Sequence, residues 1–402
     1  MQNKMTNLPQ GWEVKKFEEI ANIKGGKRLP KGENLLDNNT KFTYIRVADF
    51  QDNGTINLQN IKFINENTYN VLKNYKIYDD NLYISIAGTI GKSGIIPKEL
   101  NGAILTENAV KLEYIQNNIS NKFMYFFTLS NIFKTQIQTS TKIVAQPKLA
   151  ITRLKQIQIP LPPLKEQERI VGILDESFAK IDESIKILEQ DLLNLDELMQ
   201  SALQKAFNPL KDNAKENYKL PQGWEWKSLE EISENISAGG DKPKNCTESK
   251  TAKNQIPVYA NGVNNNGLVG YTDKATIIKP SLTISARGTI GFVCIRKEPY
   301  FPIVRLISLI PCENILCLHY LYFCLNFFIA KGEGSSIPQL TIPKFKSLQI
   351  PLPPIKEQEQ ITSHLDELSS HVKNLKQNYQ AQIKDLQELK NSLLDKAFKG
   401  NL

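Results

Sequence analysis

The chain has 402 residues, 41% hydrophobic and 23% charged, with a net charge of +8. That length predicts two or three domains of ordinary size, and the composition is globular and not disordered. No apolar run reaches the roughly 18 residues a membrane helix needs, and MQNKMTNLPQ has no apolar signal region, so neither a membrane-spanning nor a secreted protein is expected.

In chain order, residues 1–159 read as a body of short strands, turns and few helices. Lys24, Lys27, Arg28 and Lys31 flank Gly25-Gly26. Residues 43–47, holding Arg46, and residues 81–86 have the β-branched and aromatic pattern of strands. Asn53-Gly54 signals a turn. Gly88-Thr89-Ile90-Gly91, followed by Lys92, is a tight turn after a strand, with either the body's own core or a DNA backbone as its close neighbour. Residues 123–133 are an apolar core helix.

Residues 160–208 form a long helix that starts at Pro162-Pro163 and stops at Asn208-Pro209. Val171, Leu174, Phe178, Ile181, Ile185, Leu188, Leu192, Leu195, Met199, Ala202 and Ala206 alternate steps of three and four, a heptad seam. After a linker, 209–219, a second body spans 220–350. There Lys242 and Lys244 follow Gly239-Gly240, and Asn261-Gly262 is a turn. Residues 281–285 and 304–310 are strands, Arg287 lies at a strand end, and 318–329 is a core helix. Residues 351–402 are a second long helix, with a less regular seam of Leu365, Leu368, Val372, Leu375, Tyr379, Ile383, Leu386, Leu389 and Leu393. At ~1.5 Å per residue, about 44 residues make a rod on the order of 65 Å long. Its apolar seam needs a partner, and the other long helix is the obvious one.

The order of elements repeats because the chain is two copies of one unit. Leu8-Pro9-Gln10-Gly11-Trp12-Glu13 returns as Leu220-Pro221-Gln222-Gly223-Trp224-Glu225, and Gly88-Thr89-Ile90-Gly91 as Gly288-Thr289-Ile290-Gly291. QIPLPPLKEQERI, residues 158–170, returns at 349–361 with 11 of 13 positions identical, and Lys205-Ala206-Phe207 returns as Lys396-Ala397-Phe398. Helices and flanks match closely, while the bodies share only landmarks. A duplicated scaffold with different loops is what two readers of two targets would show.

Charge follows the same division: +8 on residues 1–160, −5 on 161–207, +5 on 208–354 and zero on 355–402. Two basic bodies on non-basic helices suggest two sites for a polyanion, though modest positive charge also serves solubility. Basic residues beside glycines or at strand ends suit phosphate and guanine contact. The candidates are Lys24, Lys27, Arg28, Lys31, Arg46, Lys92, Lys242, Lys244 and Arg287. Catalytic signatures are missing. IAGTIGKS, 86–93, nearly spells a phosphate loop, but its first glycine is Ile86 and the second copy has Phe292 for the lysine. Neither the three histidines nor the five cysteines have metal-ligand spacing, and no CxxC pair occurs, which fits a reduced chain.

The duplicated Gly-Trp-Glu opening, the Gly-Thr-Ile-Gly turn and above all Pro-Leu-Pro-Pro-x-Lys-Glu-Gln-Glu (160–168 and 351–359) resemble the DNA-specificity subunit of type I restriction–modification systems. The resemblance covers the whole chain. It implies an α+β fold: two pseudo-repeated, mixed α/β target recognition domains joined by two long helices in an antiparallel coiled coil. Each domain would read half of a split, asymmetric double-stranded DNA site, with the coil setting the distance. It implies a non-catalytic bacterial or archaeal cytoplasmic subunit that docks two modification (methyltransferase) subunits and the restriction (endonuclease/translocase) subunits. S-adenosylmethionine and ATP with magnesium would sit on those partners and not on this chain. Two other readings follow from the residues: a stand-alone DNA-binding or coiled-coil scaffold, and an enzyme with a diverged centre.

Overall fold

Each copy of the repeat opens and closes on one small antiparallel ribbon. In the computed structural model, which describes residues 8–140, 148–207, 220–329 and 340–402, Glu13–Lys16 pairs with Gln158–Leu161. In the second copy Glu225–Ser228 pairs with Gln349–Leu352 in the same register: Glu13 faces Leu161, and Glu225 faces Leu352. The shared sequences in front of and behind each body are therefore the two strands that close it.

Above the ribbon both bodies have one topology. The first has a four-stranded sheet ordered Ala21–Gly25, Ala109–Tyr114, Leu82–Ser85, Ser93–Ile95, with antiparallel neighbours throughout. The second repeats it as Ser233–Ala238, Ile307–Pro311, Ser281–Ile284, Val293–Arg296. A smaller sheet beside each contains one parallel pair, Thr43–Ile45 with Ala103–Leu105 and Ile256–Tyr259 with Phe301–Pro302. The central strands Leu82–Ser85 and Ser281–Ile284 are buried at every residue, as strands covered on both faces must be.

The predicted core helices form, with one break. Leu318–Phe328 is continuous, whereas 123–133 divides into Asn121–Leu129 and Asn131–Ser140. Ser130 makes the break: its hydroxyl donates to the Phe127 carbonyl at 2.7 Å and accepts from the Phe133 N–H at 3.3 Å. A capping side chain competes with helix continuation in this way. Residues 43–47 are strand only to Ile45, since Val47–Asp49 is a 3-10 turn. In 304–310 the strand starts only at Ile307, because Val304 and Arg305 occupy a left-handed turn.

The long helices are Leu164–Phe207 and Ile355–Phe398. The predicted stop at Asn208-Pro209 and the linker 209–219 lie outside the described residues. The seam of the first helix is correct residue by residue: all eleven positions are at least half-buried. In the second helix the seam is corrected. Leu375 and Leu389 are exposed, and Lys376 and Lys390 take the inward positions, which leaves steps of three and four with a single doubled step of four, from Leu368 through Val372 to Lys376.

The chain divides into two compact units, Met1–Leu188 with Ala381–Leu402, and Glu189–Gln380. In the first unit Lys390 crosses to Asp182, with its ammonium 4.8 Å from the centre of the Phe178 ring. In the second, Lys376 crosses to Asp196. Within the first unit Arg169 donates to the Leu402 carbonyl at 2.8 Å while Asp182 meets Lys390, so the two helix segments there run antiparallel. Within each unit the last turn of one helix is also an anchor. Phe398, beside Leu394 and Ala397, packs on Phe123 and Phe127 with ring centres 5.1 and 5.3 Å apart. Phe207, beside Leu203, packs on Tyr320 at 5.3 Å. The repeated Lys-Ala-Phe is this aromatic plug, and burying one such ring contributes about 1.5–3 kcal/mol.

Candidate nucleic-acid interface

The ends of each body have different chemistry. At the base, the glutamine of the repeated Lys-Glu-Gln-Glu is fully buried. Gln167 accepts from the Ser120 N–H at 2.8 Å and donates to the Asn118 and Pro162 carbonyls at 3.0 and 2.8 Å. Gln358 repeats the arrangement with the Cys317 N–H and the Ile315 and Pro353 carbonyls, each at 2.8 Å. A buried amide must satisfy both of its ends, and here it does so by locking body to helix start. That explains the motif that marked the repeat.

The opposite end gathers three segments. In the first body the Gly25-Gly26 loop lies on the turn at 105–109: the Gly26 N–H donates to the Ala109 carbonyl at 3.0 Å and the Lys27 N–H to Leu105 at 2.9 Å. A Cβ at Gly26 would stand 2.1 Å from the Thr106 carbonyl oxygen, so only glycine fits. The Gly-Thr-Ile-Gly loop joins through the Ile86 N–H, which donates to the Asn108 carbonyl at 2.8 Å. In the second body the Gly239 N–H donates to Leu306 at 2.8 Å and the Ala286 N–H to the Asn261 side-chain oxygen at 2.8 Å. At Gly88 and Gly288, φ is +74° and +69°, with nothing among the described residues within 4 Å of where a Cβ would stand. Their glycine serves a left-handed backbone. At Gly91, by contrast, Ile137 stands 3.0 Å away, so there the core is the close neighbour.

Several predicted cations are already paired. Lys24 meets Glu113 at 2.6 Å, and Glu113 also holds the buried Lys111 at 2.6 Å. Partial burial alone would raise the Glu113 carboxyl, but the hydrogen bonds from Lys111 and Lys24 hold it below its ordinary range. Arg28, largely exposed, meets Glu107 at 2.8 Å. Burial opposes ionisation of Glu107, yet Arg28, its own backbone N–H and Thr106 keep its pKa low. Arg46 grips the buried Asp49 with two nitrogens, at 2.5 and 3.1 Å, and donates to the Asn60 carbonyl at 2.9 Å. It braces a loop. Lys92 meets Asp52 at 2.8 Å. Lys27, with its ammonium 5.9 Å from the Tyr75 ring centre, is exposed, as are Lys31, Lys242 and Lys244. Arg287 lines a cavity of about 400 Å³ in the second body.

Four features escape a reading by residue type. Arg296 is buried, stacks 3.6 Å over Tyr259 and donates to the Asn266 carbonyl at 2.6 Å, bracing a hairpin tip where Asn265 and Asn266 have φ near +50°. Asn261 ties two segments together, and only its Asn-Gly context marked it. Glu107 is the counter-charge of Arg28. Arg305, hidden in a run that reads as strand, sits with Val304 at φ +59° and +54°. The Leu306 N–H closes that turn on the Ile303 carbonyl at 3.0 Å. Left-handed backbone costs roughly 1–2 kcal/mol per non-glycine residue, and a β-branched residue is a marked outlier there.

Two bodies of one topology, alike at their bases and different at their loop ends, each locked to a long helix, define a paired-module scaffold. The family model described as the type I restriction modification DNA specificity domain matches residues 9–192 and again 221–385. The chain belongs to that family, whose members are the recognition component and not a catalytic one. A putative type I specificity subunit of Mycoplasma pneumoniae is 29% identical over 355 residues, 88% of each chain. The EcoBI specificity subunit of Escherichia coli is 29% identical over 205 residues, half of this chain and 42% of that one. Among solved structures, a chain from work on complex assembly and conformational transition of the type I system superposes with TM-score 0.81 at 20% identity, covering 98% of this chain and all of that one. The HsdS subunit of Thermoanaerobacter tengcongensis gives 0.59 at 20% identity, covering both chains fully. Among the described residues no helix is long and apolar enough to cross a membrane.

Proposed function

We propose that the chain reads a split, asymmetric duplex DNA site, one body per half-site, and that the antiparallel helices set the gap between the halves. The observation that carries this reading is the contrast within each body: a ribbon of the same register and the same glutamine lock at the base, and different charges and turns at the loop end. Modification subunits bearing S-adenosylmethionine and restriction subunits using ATP with magnesium would dock on this chain in the cytoplasm. Lys27, Lys31, Lys242, Lys244 and Arg287 are the candidates of the original set best placed to face DNA. Lys24, Arg28, Arg46 and Lys92 would act with their acidic partners, by shaping loops. Neutralising several phosphates makes affinity fall steeply between about 50 and 200 mM salt.

The test is exchange of residues 1–159 and 220–350. The methylated motif made with the partner subunits should keep both half-sites and reverse their order. A folded, partner-bound chimera that methylates the original motif in its original order refutes one reader per body. Deleting 182–188 and 373–379 together removes one heptad from each helix and shortens the coil by roughly 10 Å. The half-sites should persist, with a smaller gap or lost activity. Changed half-site bases with an unchanged gap contradict the spacer role.

A further inference from the structure

Among the described residues, six of the seven arginines are held by a side-chain partner or another interaction. Arg28, Arg46, Arg169 and Arg296 are bonded to Glu107, Asp49, Glu166 and Thr283, and Arg153 and Arg287 are also engaged. Arg305 is exposed, and its guanidinium makes no such contact. We propose that Arg305 reads a guanine in the half-site of the second body, with Asn261 as its positioning residue. This rests on the reading of that body as a DNA reader and names the residue and base involved.

Three observations point the same way. The turn that carries Arg305 is held from every side: the Val304 N–H donates to Gly240 and the Arg305 N–H to Gly239, both at 2.8 Å, and Asn261 donates its amide to the Val304 carbonyl at 2.6 Å. Left-handed backbone persists only where the surroundings over-determine it, and such positions gather where a side chain must be aimed. Gly239 has no room for a Cβ, which would meet the Ile303 nitrogen at 2.6 Å, so the support is built to fit.

The second observation is the matching turn of the first body. Pairing Leu82 with Leu112 and Leu282 with Leu309 aligns Glu107-Asn108 with Val304-Arg305. The first turn is not left-handed and carries a carboxylate that binds Arg28. At this turn the first body holds a carboxylate already paired with Arg28, and the second an arginine without a counter-charge.

The third is the surface beside it. Arg287 and Arg305 line one cavity together with Ala238, Ile307 and Leu340. A planar fork beside apolar side chains suits the O6 and N7 of guanine, which accept two parallel hydrogen bonds, more than a phosphate, which any lysine can serve.

The experiment compares methylated motifs made by the complex with its modification partners, using wild type, R305A, R305K and N261A. Wild type should carry a G·C pair in the half-site that body exchange assigns to residues 220–350. With R305A that position should accept other bases, methylation of the original site should fall roughly 10- to 100-fold, and the other half-site should be unchanged. R305K keeps the charge and removes the fork, so it should relax the same position with an unchanged salt slope. N261A should relax it more weakly. Strict retention of the G·C pair by folded R305A and R305K overturns the proposal. So does a uniform loss across sequences with a salt slope shallower by about one, which would mark a phosphate contact. A wild-type complex that methylates no motif would instead sink the underlying reading, and is seen before any variant is made.

Discussion

The base and the loop end of each body obey opposite rules. At the base, Gln167 and Gln358 make the same three hydrogen bonds, and the ribbons pair in the same register. At the loop end, Glu107 faces Arg28 in one copy, and Arg305 stands on a left-handed turn in the other. A joint that must mate with a helix admits few solutions, because every buried polar group needs its partner. A loop end that faces solvent is free to vary so long as the strands beneath it hold. Matching joints with unlike tips are what the proposal of two readers on one scaffold requires.

Four substitutions test that contrast. The largest effect belongs to the joint: Gln167→Ala and Gln358→Ala should each cost about 3 kcal/mol, since three buried backbone groups lose their partner. Thermal unfolding should place the two variants close together; a loss below about 1 kcal/mol in either would show that water replaces the amide. Next come Gly26→Ala and Gly239→Ala, which push a Cβ into backbone at 2.1 and 2.6 Å. Overpacking of this kind costs about 1–3 kcal/mol, and only the half-site of the altered body should change. If both half-sites degrade together, the loop ends are not independent.

A smaller effect is expected in the coil. Lys376 and Lys390 occupy seam positions and reach Asp196 and Asp182. Polar seam residues fix register at some loss of stability. Replacing both lysines by leucine should therefore raise the unfolding free energy by about 1 kcal/mol and broaden the range of gap lengths methylated. A destabilised coil with one sharp gap would show instead that the ion pairs hold the helices together. The smallest effect is Glu107→Gln, which releases Arg28 from its counter-charge. Only the salt slope of DNA binding should change, becoming steeper by about one. An unaltered slope would mean that Arg28 does not reach a phosphate.

Much of the scaffold was legible because it rests on local periodicity. The long helices were marked by Pro-Pro and by steps of three and four, and the seam from Val171 to Ala206 holds throughout. The second seam misled because Leu375 and Leu389 lie one residue from the true inward positions. A lysine whose stem packs inward while its ammonium reaches a carboxylate looks, in sequence, like an exposed residue. The candidate site was less legible. Arg28 and Lys24 are typical phosphate binders by type, yet each meets a carboxylate 79 or 89 residues further along the chain.

By itself the sequence determined the duplication, the two long helices and the apolar cores. These depend on patterns repeated over neighbouring residues, and burying apolar surface enforces them. Tertiary structure alone decided which charges are spent on one another, which glycines have no room for a side chain, and which arginine is left to bind something else. Those outcomes depend on strand register, where a shift of one residue turns a side chain to the other face. Arg305 is the clearest case: its run reads as strand, and only the segments packed around it turn it outward on a left-handed bend.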